Sequence, residues 1–310
     1  MKLQYLQHPL PSPLQRLDDP RWEARDVALW IKRDDLLAPS PNDPLCGNKW
    51  RKLQYNLQRA REEGYEQLLT FGGAYSNHLA AVASAGSHFG FRTIGVVRGE
   101  EAVQNPTLER AQQNGMQLHF IDRSSYRQKQ DPTFLQNLTE RFGPSYILPE
   151  GGTNKDAFAG CAQLAQEILT EHPTQPTHLA VACGTGGTAA GLINGLTGTA
   201  ELIGVSVLKG NFMRKEINRH LEQLPETATR WTTLDDYHHG GYARRSPALD
   251  NFIQHFHHEH GIILEPIYTG KLFFALYDLL EQGYFPEGSQ VVAIHTGGLQ
   301  AFASRLDRSR

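Results

Sequence analysis

From residue 49 onward, short apolar runs alternate with segments whose apolar residues recur at helical spacing, and turns containing glycine or proline separate them. This alternation is typical of a parallel β-sheet whose strands are connected by crossover helices. It therefore predicts an α/β fold with six or more strands. The predicted strands cover residues 68–71, 93–97, 117–121, 178–182, 202–207 and 291–294.

Two predicted helices have polar residues at their N-termini. The first follows Asn48, its predicted N-cap, and continues from Trp50 at helical spacing. The second has Ser76 or Asn77 as its predicted N-cap and ends near Gly90. Backbone N–H groups at such helix starts, next to the carboxyl ends of parallel strands, are where ligands bind in α/β folds.

Composition limits the class of protein. A chain of 310 residues, 39% hydrophobic, is long enough for roughly two domains, and its net charge of -3 does not favour nucleic acid as a partner. No run of about 18 apolar residues or signal-peptide h-region is present, so neither a membrane nor secretion is expected. Three widely spaced cysteines, Cys46, Cys161 and Cys183, favour a reducing compartment, which predicts a cytoplasmic protein.

A glycine-rich turn follows the predicted strand 178–182. Its glycines allow close approach of the backbone to a phosphate, and its threonines add hydroxyl donors. The same residues match the dinucleotide fingerprint G-x-G-x-x-A, with Glu201 as a possible ribose ligand, so an NAD-dependent dehydrogenase remains an alternative. This turn, called the glycine loop below, consists of Gly184, Thr185, Gly186, Gly187 and Thr188.

A second turn argues against the dehydrogenase. Ser76, Asn77 and His78 bring hydroxyl, amide and imidazole groups to a helix start after the predicted strand 68–71, which suits the carboxylate of a small substrate. A dinucleotide needs only one such loop. A third turn, residues 295–298, follows the last predicted strand.

Two lysines lie at the start of the first helix. Lys49 and Lys52 are three residues apart, on neighbouring positions of one helical face. A cation in the first helical turn opposes the helix dipole, which favours the free amine that forms Schiff bases. Spacing alone does not choose between the two lysines.

Five motifs in this order resemble those of the pyridoxal-phosphate enzymes grouped as 1-aminocyclopropane-1-carboxylate deaminase and D-cysteine desulfhydrase. The resemblance spans nearly the whole chain and implies the two-domain fold of tryptophan synthase β-subunits, with parallel sheets, helices on both faces and the cofactor in the interdomain cleft. It also implies a small domain of residues 47–154, a large domain of residues 1–46 and 155–310, and a homodimer. The motifs are IKRDD at 31–35, GNKWRKL at 47–53, YSNH at 75–78, PIYTGK at 266–271 and HTGG at 295–298.

The resemblance also implies roles for the polar residues. Lys49, rather than Lys52, would hold pyridoxal 5'-phosphate, and the glycine loop would bind its phosphate. Ser76, Asn77 and His78 would bind the substrate carboxylate, with Asn77 also near the phenolic oxygen of the cofactor. Lys49 and Ser76 are therefore predicted catalytic residues.

Three residues near the C-terminal motif complete the predicted site. Tyr268 would stack near the cofactor ring and Tyr242 would face the substrate, and both are predicted to be catalytic. Thr269 occupies the position where the deaminases have glutamate and the desulfhydrases have threonine. Because a neutral hydroxyl opposite the pyridine nitrogen weakens the ring as an electron sink, Thr269 favours β-elimination over ring opening.

The predicted reaction is therefore conversion of D-cysteine to pyruvate, ammonia and sulfide. Deamination of 1-aminocyclopropane-1-carboxylate to 2-oxobutyrate and ammonia is the alternative, and a non-catalytic protein that binds the cofactor or an amino acid is an alternative of another class. Tyr75 stands where these enzymes typically have glutamine, which leaves the substrate open. His255 and Glu259 lie four residues apart but not in HExxH order, so no metal site is predicted.

Overall fold

The computed structural model describes residues 11–40, 43–99 and 105–299. The chain divides into two compact units. In the described residues, unit 1 consists of Ala38–Ala157, and unit 2 consists of residues 11–37 and Phe158–Leu299. The predicted small domain, residues 47–154, lies inside unit 1.

Each unit contains one sheet with parallel strands. The strand order in unit 1 is β5-β4-β3-β6, all parallel, and the order in unit 2 is β1-β2-β10-β7-β8-β9, where only β1 and β2 are antiparallel. The strands are β1 (Leu14–Leu17), β2 (Ala28–Lys32), β3 (Gln67–Gly73), β4 (Arg92–Arg98), β5 (Met116–Ile121), β6 (Tyr146–Leu148), β7 (His178–Cys183), β8 (Glu201–Ser206), β9 (Trp231–Leu234) and β10 (Gln290–Ile294).

Helices follow most of the parallel strands, as the alternating pattern predicts. The α/β fold is confirmed. None of the described helices is long and apolar enough to cross a bilayer. The helices are α1 (Pro20–Glu23), α2 (Asn48–Glu62), α3 (Asn77–Phe89), α4 (Pro106–Gln113), α5 (Arg123–Tyr126), α6 (Pro132–Phe142), α7 (Lys155–Glu171), α8 (Gly187–Leu196), α9 (Met213–Leu221), α10 (Pro247–His260) and α11 (Thr269–Glu281).

All six predicted strands are confirmed, and four further strands were not predicted. β1, β6 and β9 are edge strands of three or four residues, and β9 is only half-buried along its length. Such strands lack the buried apolar run that identifies a central strand. β2 lies inside its sheet, but its apolar run stops after Ile31.

The helix starts were predicted with one error. Ser76 is confirmed as the N-cap of α3, because its Oγ accepts from the N–H of Leu79, and Gly90 ends that helix in the left-handed conformation. The prediction of Asn48 as the N-cap of α2 is wrong. Gly47 occupies the cap with φ of 54°, a conformation that glycine adopts readily, and Asn48 begins the helix.

Buried side chains cover both faces of the unit 2 sheet. Leu179 and Val181 of β7 pack with α7, α8 and α9 on one face, whereas Ala180 and Ala182 pack with α10 and α11 on the other. Because neighbouring strand residues point to opposite faces, a strand buried on both sides reads as a continuous apolar run. This explains why β7 was recognisable in the sequence.

Two glycines allow close packing of α8 against the middle of α7. A Cβ atom on Gly191 would lie 2.5 Å from Cys161 Cβ, and one on Gly195 would lie 2.5 Å from the carbonyl oxygen of Ala162. Both distances are too short for non-bonded atoms. The glycines therefore set the separation of the two helices.

Replacing Gly195 with alanine should lower the free energy of unfolding by about 1–3 kcal/mol, because the added methyl group forces the helices apart. In an ordinary helix the same change would stabilise by up to about 1 kcal/mol. Urea unfolding measures whether the free energy of unfolding falls or rises in Gly195→Ala. Lys155→Ala, at the exposed start of α7, is the control, with little change expected, and a stabilised Gly195→Ala variant would contradict the packing described here.

Candidate active site

The start of α2 in unit 1 carries both predicted lysines. Lys49 is half-buried in the first turn, where its backbone N–H donates to the carbonyl oxygen of Cys46 at 3.1 Å. Lys52 is buried, and its ammonium donates to the Gly151 carbonyl at 3.0 Å and to Thr153 Oγ1 at 3.1 Å. Lys52 therefore stabilises the turn before α7, which distinguishes its role from the one predicted for Lys49.

The segment before Lys49 is anchored by Asp43. Its buried carboxylate accepts from the N–H of Leu45 at 2.8 Å, from Ser84 Oγ at 2.5 Å and from His88 Nε2 at 2.7 Å. Burial alone would raise the pKa of Asp43, but these hydrogen bonds together lower it. Since Ser84 and His88 belong to α3, Asp43 connects the start of α2 to the helix that begins after Ser76.

Ser76, Asn77 and His78 lie at the start of α3. The first N–H groups of an α-helix have no acceptor within the helix, and the helix dipole makes this end positive. Ser76 Oγ accepts a hydrogen bond from the N–H of Leu79 at 3.3 Å. The backbone N–H groups of Asn77 and His78 lie at the same helix start. A small anion is the ligand that this arrangement favours.

The His78 side chain does not point where the sequence suggested. It is 2% exposed, its Nε2 lies 2.9 Å from Thr70 Oγ1, and its ring packs on Gly152, where a Cβ atom would come within 2.7 Å of it. Burial and then the charges of Lys49 and Lys52 lower its pKa well below the usual value, so the imidazole is neutral. His78 therefore contributes its backbone N–H, and not its imidazole, to the start of α3.

In unit 2, the glycine loop connects β7 to α8. Gly186 is the N-cap with φ of 75°, a left-handed conformation that favours glycine, and a Cβ atom there would lie 3.0 Å from Ile217 Cγ1. Thr188 is buried in the first turn of the helix. His220 of α9, which sequence reasoning missed, donates from Nε2 to the Thr185 carbonyl at 2.8 Å and so fixes the loop.

The structure brings both predicted tyrosines to the glycine loop. A Cβ atom on Gly184 would lie 3.2 Å from Tyr268 Cε1, so the Tyr268 ring lies directly on the loop. The ring of Tyr242 meets that of Tyr268 edge to face, with centroids 6.2 Å apart, and Tyr242 is 44% exposed. In unit 2, the glycine loop and the two rings therefore line one surface.

A buried carboxylate fixes the backbone around Thr269. Glu265, which sequence reasoning also missed, accepts from the N–H groups of Ile267 at 2.7 Å, Tyr268 at 2.7 Å and Thr269 at 2.6 Å. Burial raises the pKa of Glu265, and these three hydrogen bonds, followed by the charge of His295, oppose the rise. Glu265 thus caps α11 and sets the direction of the Tyr268 side chain.

Thr269 itself is fully buried. Its Oγ1 accepts from the N–H of Glu265 at 3.0 Å, and it lies 3.3 Å from Glu265 Oε1 and 3.4 Å from the Glu265 carbonyl oxygen. The hydroxyl hydrogen therefore has an acceptor on Glu265.

The histidine-rich part of α10 carries an ion-pair network. Asp19, Glu259 and His260 bring their ligand atoms within 4.8 Å of one another. Arg21 lies among them, with NH2 at 2.7 Å from Asp19 Oδ2 and 2.7 Å from Glu259 Oε2. The guanidinium thus supplies the positive charge that these carboxylates require, and His255 is not part of the group.

Comparison with known proteins identifies the family. A family model described as "Pyridoxal-phosphate dependent enzyme" matches residues 5–297, so the chain belongs to the pyridoxal-phosphate-dependent enzymes. This identification replaces the dehydrogenase alternative, and Glu201 is instead the first residue of β8, 3.9 Å from Arg230.

Relatives give two related activities. A D-cysteine desulfhydrase of Salmonella typhi is 30% identical, over 94% of this chain and 92% of its own. A bifunctional D-cysteine desulfhydrase/1-aminocyclopropane-1-carboxylate deaminase, mitochondrial, of Arabidopsis thaliana is 28% identical, over 96% and 79%. A crystal structure of an ACC deaminase homologue is similar with a TM-score of 0.81 and 28% identity, over 96% of this chain and 92% of that one.

The residues present fit the family's cofactor. The start of α8, with left-handed Gly186 at its cap, suits a phosphate dianion, and the Tyr268 ring on the loop offers an aromatic surface. In unit 1, Lys49 offers a primary amine close enough to His78 for its charge to affect that imidazole. Amine, phosphate site and aromatic surface are the groups that pyridoxal phosphate requires.

Replacing Asp43 with asparagine should lower the free energy of unfolding by about 1–2 kcal/mol at neutral pH. The folded pKa of Asp43 lies below its unfolded value of about 3.9, so its contribution is present above that pH and is lost as the pH falls through the folded pKa. The difference between the two proteins should therefore shrink as the pH falls below about 4.

Urea unfolding over that pH range, with the exposed Asp236→Asn as control, tests the Asp43 prediction. A difference that persists unchanged below the folded pKa would contradict the ionic role of Asp43.

Replacing Glu265 with glutamine should lower the free energy of unfolding by about 1–3 kcal/mol, because the new NH2 group faces backbone donors where the carboxylate accepts from three N–H groups. Glu281→Gln, at the exposed end of the same helix, should change little and is the matched control. Thermal and urea unfolding measure both. Equal stability of the two variants would show that the cap at Glu265 is unimportant.

Proposed function

We propose that this pyridoxal-phosphate-dependent enzyme catalyses β-elimination of a small amino acid, with D-cysteine as substrate and pyruvate, ammonia and sulfide as products. The observation that carries the proposal is Thr269, a neutral and fully buried hydroxyl directly after Tyr268. In the deaminases that the chain resembles, this position is glutamate. The desulfhydrase relative from Salmonella typhi supports the same substrate.

The cofactor roles follow from the chemistry of each group. We assign the covalent linkage to Lys49 on the family resemblance of the motif at residues 47–53; Lys52, whose ammonium donates to Gly151 and Thr153, stabilises the turn before α7. The glycine loop binds the phosphate and Tyr268 contacts the ring, with Asn77 near the phenolic oxygen. When bound, pyridoxal phosphate withdraws electrons from the Cα of an amino acid and so makes its proton acidic.

The remaining residues act on the substrate. Lys49 Nζ removes the Cα proton as general base. The Ser76 hydroxyl, Asn77 and the backbone N–H of His78 bind the carboxylate at the positive end of α3. Tyr242 and Tyr268 orient the substrate, and a phenol O–H gives a proton to the departing thiolate.

Ring-opening deamination of 1-aminocyclopropane-1-carboxylate is a second candidate. The Arabidopsis thaliana relative is named for both activities. The structure also has a carboxylate, Glu265, at 3.3 Å from Thr269 Oγ1, which could partly replace the glutamate of the deaminases. Formation of 2-oxobutyrate from 1-aminocyclopropane-1-carboxylate would identify this activity.

Cellular location and assembly belong to the same proposal. The three cysteines are buried and form no disulfide within the described residues, which is consistent with a reducing cytoplasm. They are Cys46, Cys161 and Cys183. A homodimer is proposed from the family resemblance. Sedimentation analysis of the purified protein tests the assembly.

Replacing Lys49 with alanine should abolish covalent retention of the cofactor and lower the rate of pyruvate formation from D-cysteine about 10³-fold or more. The wild-type protein, incubated with pyridoxal phosphate and reduced with borohydride, should carry the label on the peptide that contains Lys49. Lys52→Ala should keep this label while losing stability, because Gly151 and Thr153 lose their donor.

Peptide mapping by mass spectrometry and separate assays for pyruvate, 2-oxobutyrate and sulfide measure these outcomes. A label on Lys52 would refute the assignment of Lys49. Cofactor retention without turnover of D-cysteine, L-cysteine or 1-aminocyclopropane-1-carboxylate would instead favour a binding protein.

A further inference from the structure

The loop that carries Tyr242 has an unusual backbone. Four of its five residues from 239 to 243 have positive φ. They are His239 at 49°, Gly240 at 97°, Gly241 at 114° and Ala243 at 55°. This conformation costs roughly 1–2 kcal/mol for each non-glycine residue. The segment, called the 239–243 loop below, therefore needs contacts from outside itself to keep its shape.

Hydrogen bonds within the segment are few and local. The N–H of Gly241 donates to the His238 carbonyl at 3.0 Å, and the N–H of Gly240 donates to His238 Nδ1 at 2.9 Å. The N–H of Arg244 donates to the Gly241 carbonyl at 3.1 Å. These are single-turn contacts of the kind that open readily when they are not supported by packing.

His239 Nδ1 lies 2.8 Å from Ser246 Oγ, and further support comes from α11. Lys271 is fully buried, and its Nζ donates to the Gly241 carbonyl at 2.9 Å and lies 3.4 Å from the Val207 carbonyl oxygen. One turn further on, the Phe274 ring meets the His239 ring edge to face, with centroids 4.7 Å apart. The same helix thus contacts the 239–243 loop at two residues, His239 and Gly241.

Lys271 also connects this loop to the rest of the surface in unit 2. It lies one turn after Tyr268, whose ring rests on Gly184 of the glycine loop. Val207 follows β8, and its N–H donates to the Cys183 carbonyl at 3.0 Å, directly before the glycine loop. Lys271 belongs to the helix that follows Tyr268, and its amine contacts the 239–243 loop directly. It reaches the residue before the glycine loop through Val207.

A lysine is a costly choice for this position, which argues for a specific role. A buried ammonium loses its hydration and is retained only where acceptors replace the water. Burial lowers the pKa of Lys271 to about 8, against the opposing charge of Glu265. Burial, followed by the charge of Lys271, lowers the pKa of nearby His239. The Gly241 carbonyl oxygen accepts a hydrogen bond from Lys271 whether the lysine is protonated or neutral, because both forms carry N–H groups.

We propose that Lys271 is a positioning residue that holds the strained 239–243 loop in place through the Gly241 carbonyl, and so fixes Tyr242 against the Tyr268 ring. Because the proposed function assigns Tyr242 to the substrate, loss of this hydrogen bond weakens substrate binding more than the chemical step. Lys271 itself does not contact the substrate in this role.

Two variants remove the hydrogen bond in different ways. Lys271→Met replaces the amine with an apolar group of similar length, and Lys271→Gln keeps a polar group that is too short to reach Gly241. Lys215→Met, an exposed lysine on α9, is the matched control. Hydrogen exchange read by mass spectrometry on the cofactor-loaded protein should show exchange in residues 238–244 about tenfold faster in both Lys271 variants and unchanged in the control.

The kinetic consequence is tested by a double-mutant cycle with Tyr242→Ala. In the wild-type background, Lys271→Gln should lower kcat/KM for D-cysteine about tenfold, mainly through KM. In the Tyr242→Ala background, the same change should have less than about a twofold effect, because Lys271 acts through Tyr242. A merely structural role would lower kcat/KM by the same factor in both backgrounds.

The outcomes separate the two levels of the proposal. Unchanged exchange in residues 238–244 of both Lys271 variants would overturn the role of Lys271, and so would equal kinetic losses in the two backgrounds. A wild-type protein that turns over none of the three amino acids would contradict the proposed function, while the exchange measurement would still decide whether Lys271 holds the loop.

Discussion

Backbone N–H groups at the starts of helices that follow parallel strands are the interaction on which the proposed ligand chemistry of this chain depends. Unit 1 provides one such start at α3 and unit 2 provides one at α8, each preceded by a buried strand. Both concentrate positive potential without a mobile charged side chain. The residues that differ between the two starts, Ser76 in one and glycines in the other, decide which anion each accommodates.

The segments beside these helix starts are fixed by buried charged groups rather than by apolar packing alone. Asp43 holds the approach to α2, Lys52 the turn before α7, Glu265 the start of α11 and Lys271 the 239–243 loop. In each case the partners include backbone groups. A buried charge with fixed backbone partners is expensive to displace, since removal of either side leaves an unsatisfied polar group. Such contacts make irregular segments as rigid as the sheets they adjoin.

Most of the central strands were predicted, because β3, β4, β7, β8 and β10 are largely apolar and buried, whereas the central strand β2 was not predicted. The sequence did not reveal β1, β6 or β9, whose burial depends on neighbours that are distant in the chain. Order and spacing of motifs likewise led to the family. The direction in which a side chain points could not be predicted from the motifs, because it depends on the tertiary fold.

Two kinds of residue in the candidate site illustrate that limit. His78 belongs to a recognisable motif, yet its ring faces Thr70 and Gly152, whose proximity arises only when the strand ends are assembled. His220 and Glu265 have no motif that signals their roles, since each acts on a backbone group.

The neutral His78 has a consequence for stereochemistry. If the carboxylate of an amino acid is bound by backbone N–H groups and a serine hydroxyl, this end of the site recognises charge and shape that the two mirror-image forms of the substrate share. Handedness is then read elsewhere, by the groups that meet the side chain and the Cα hydrogen. A change of enantiomer preference among related enzymes would therefore require no change at the start of α3.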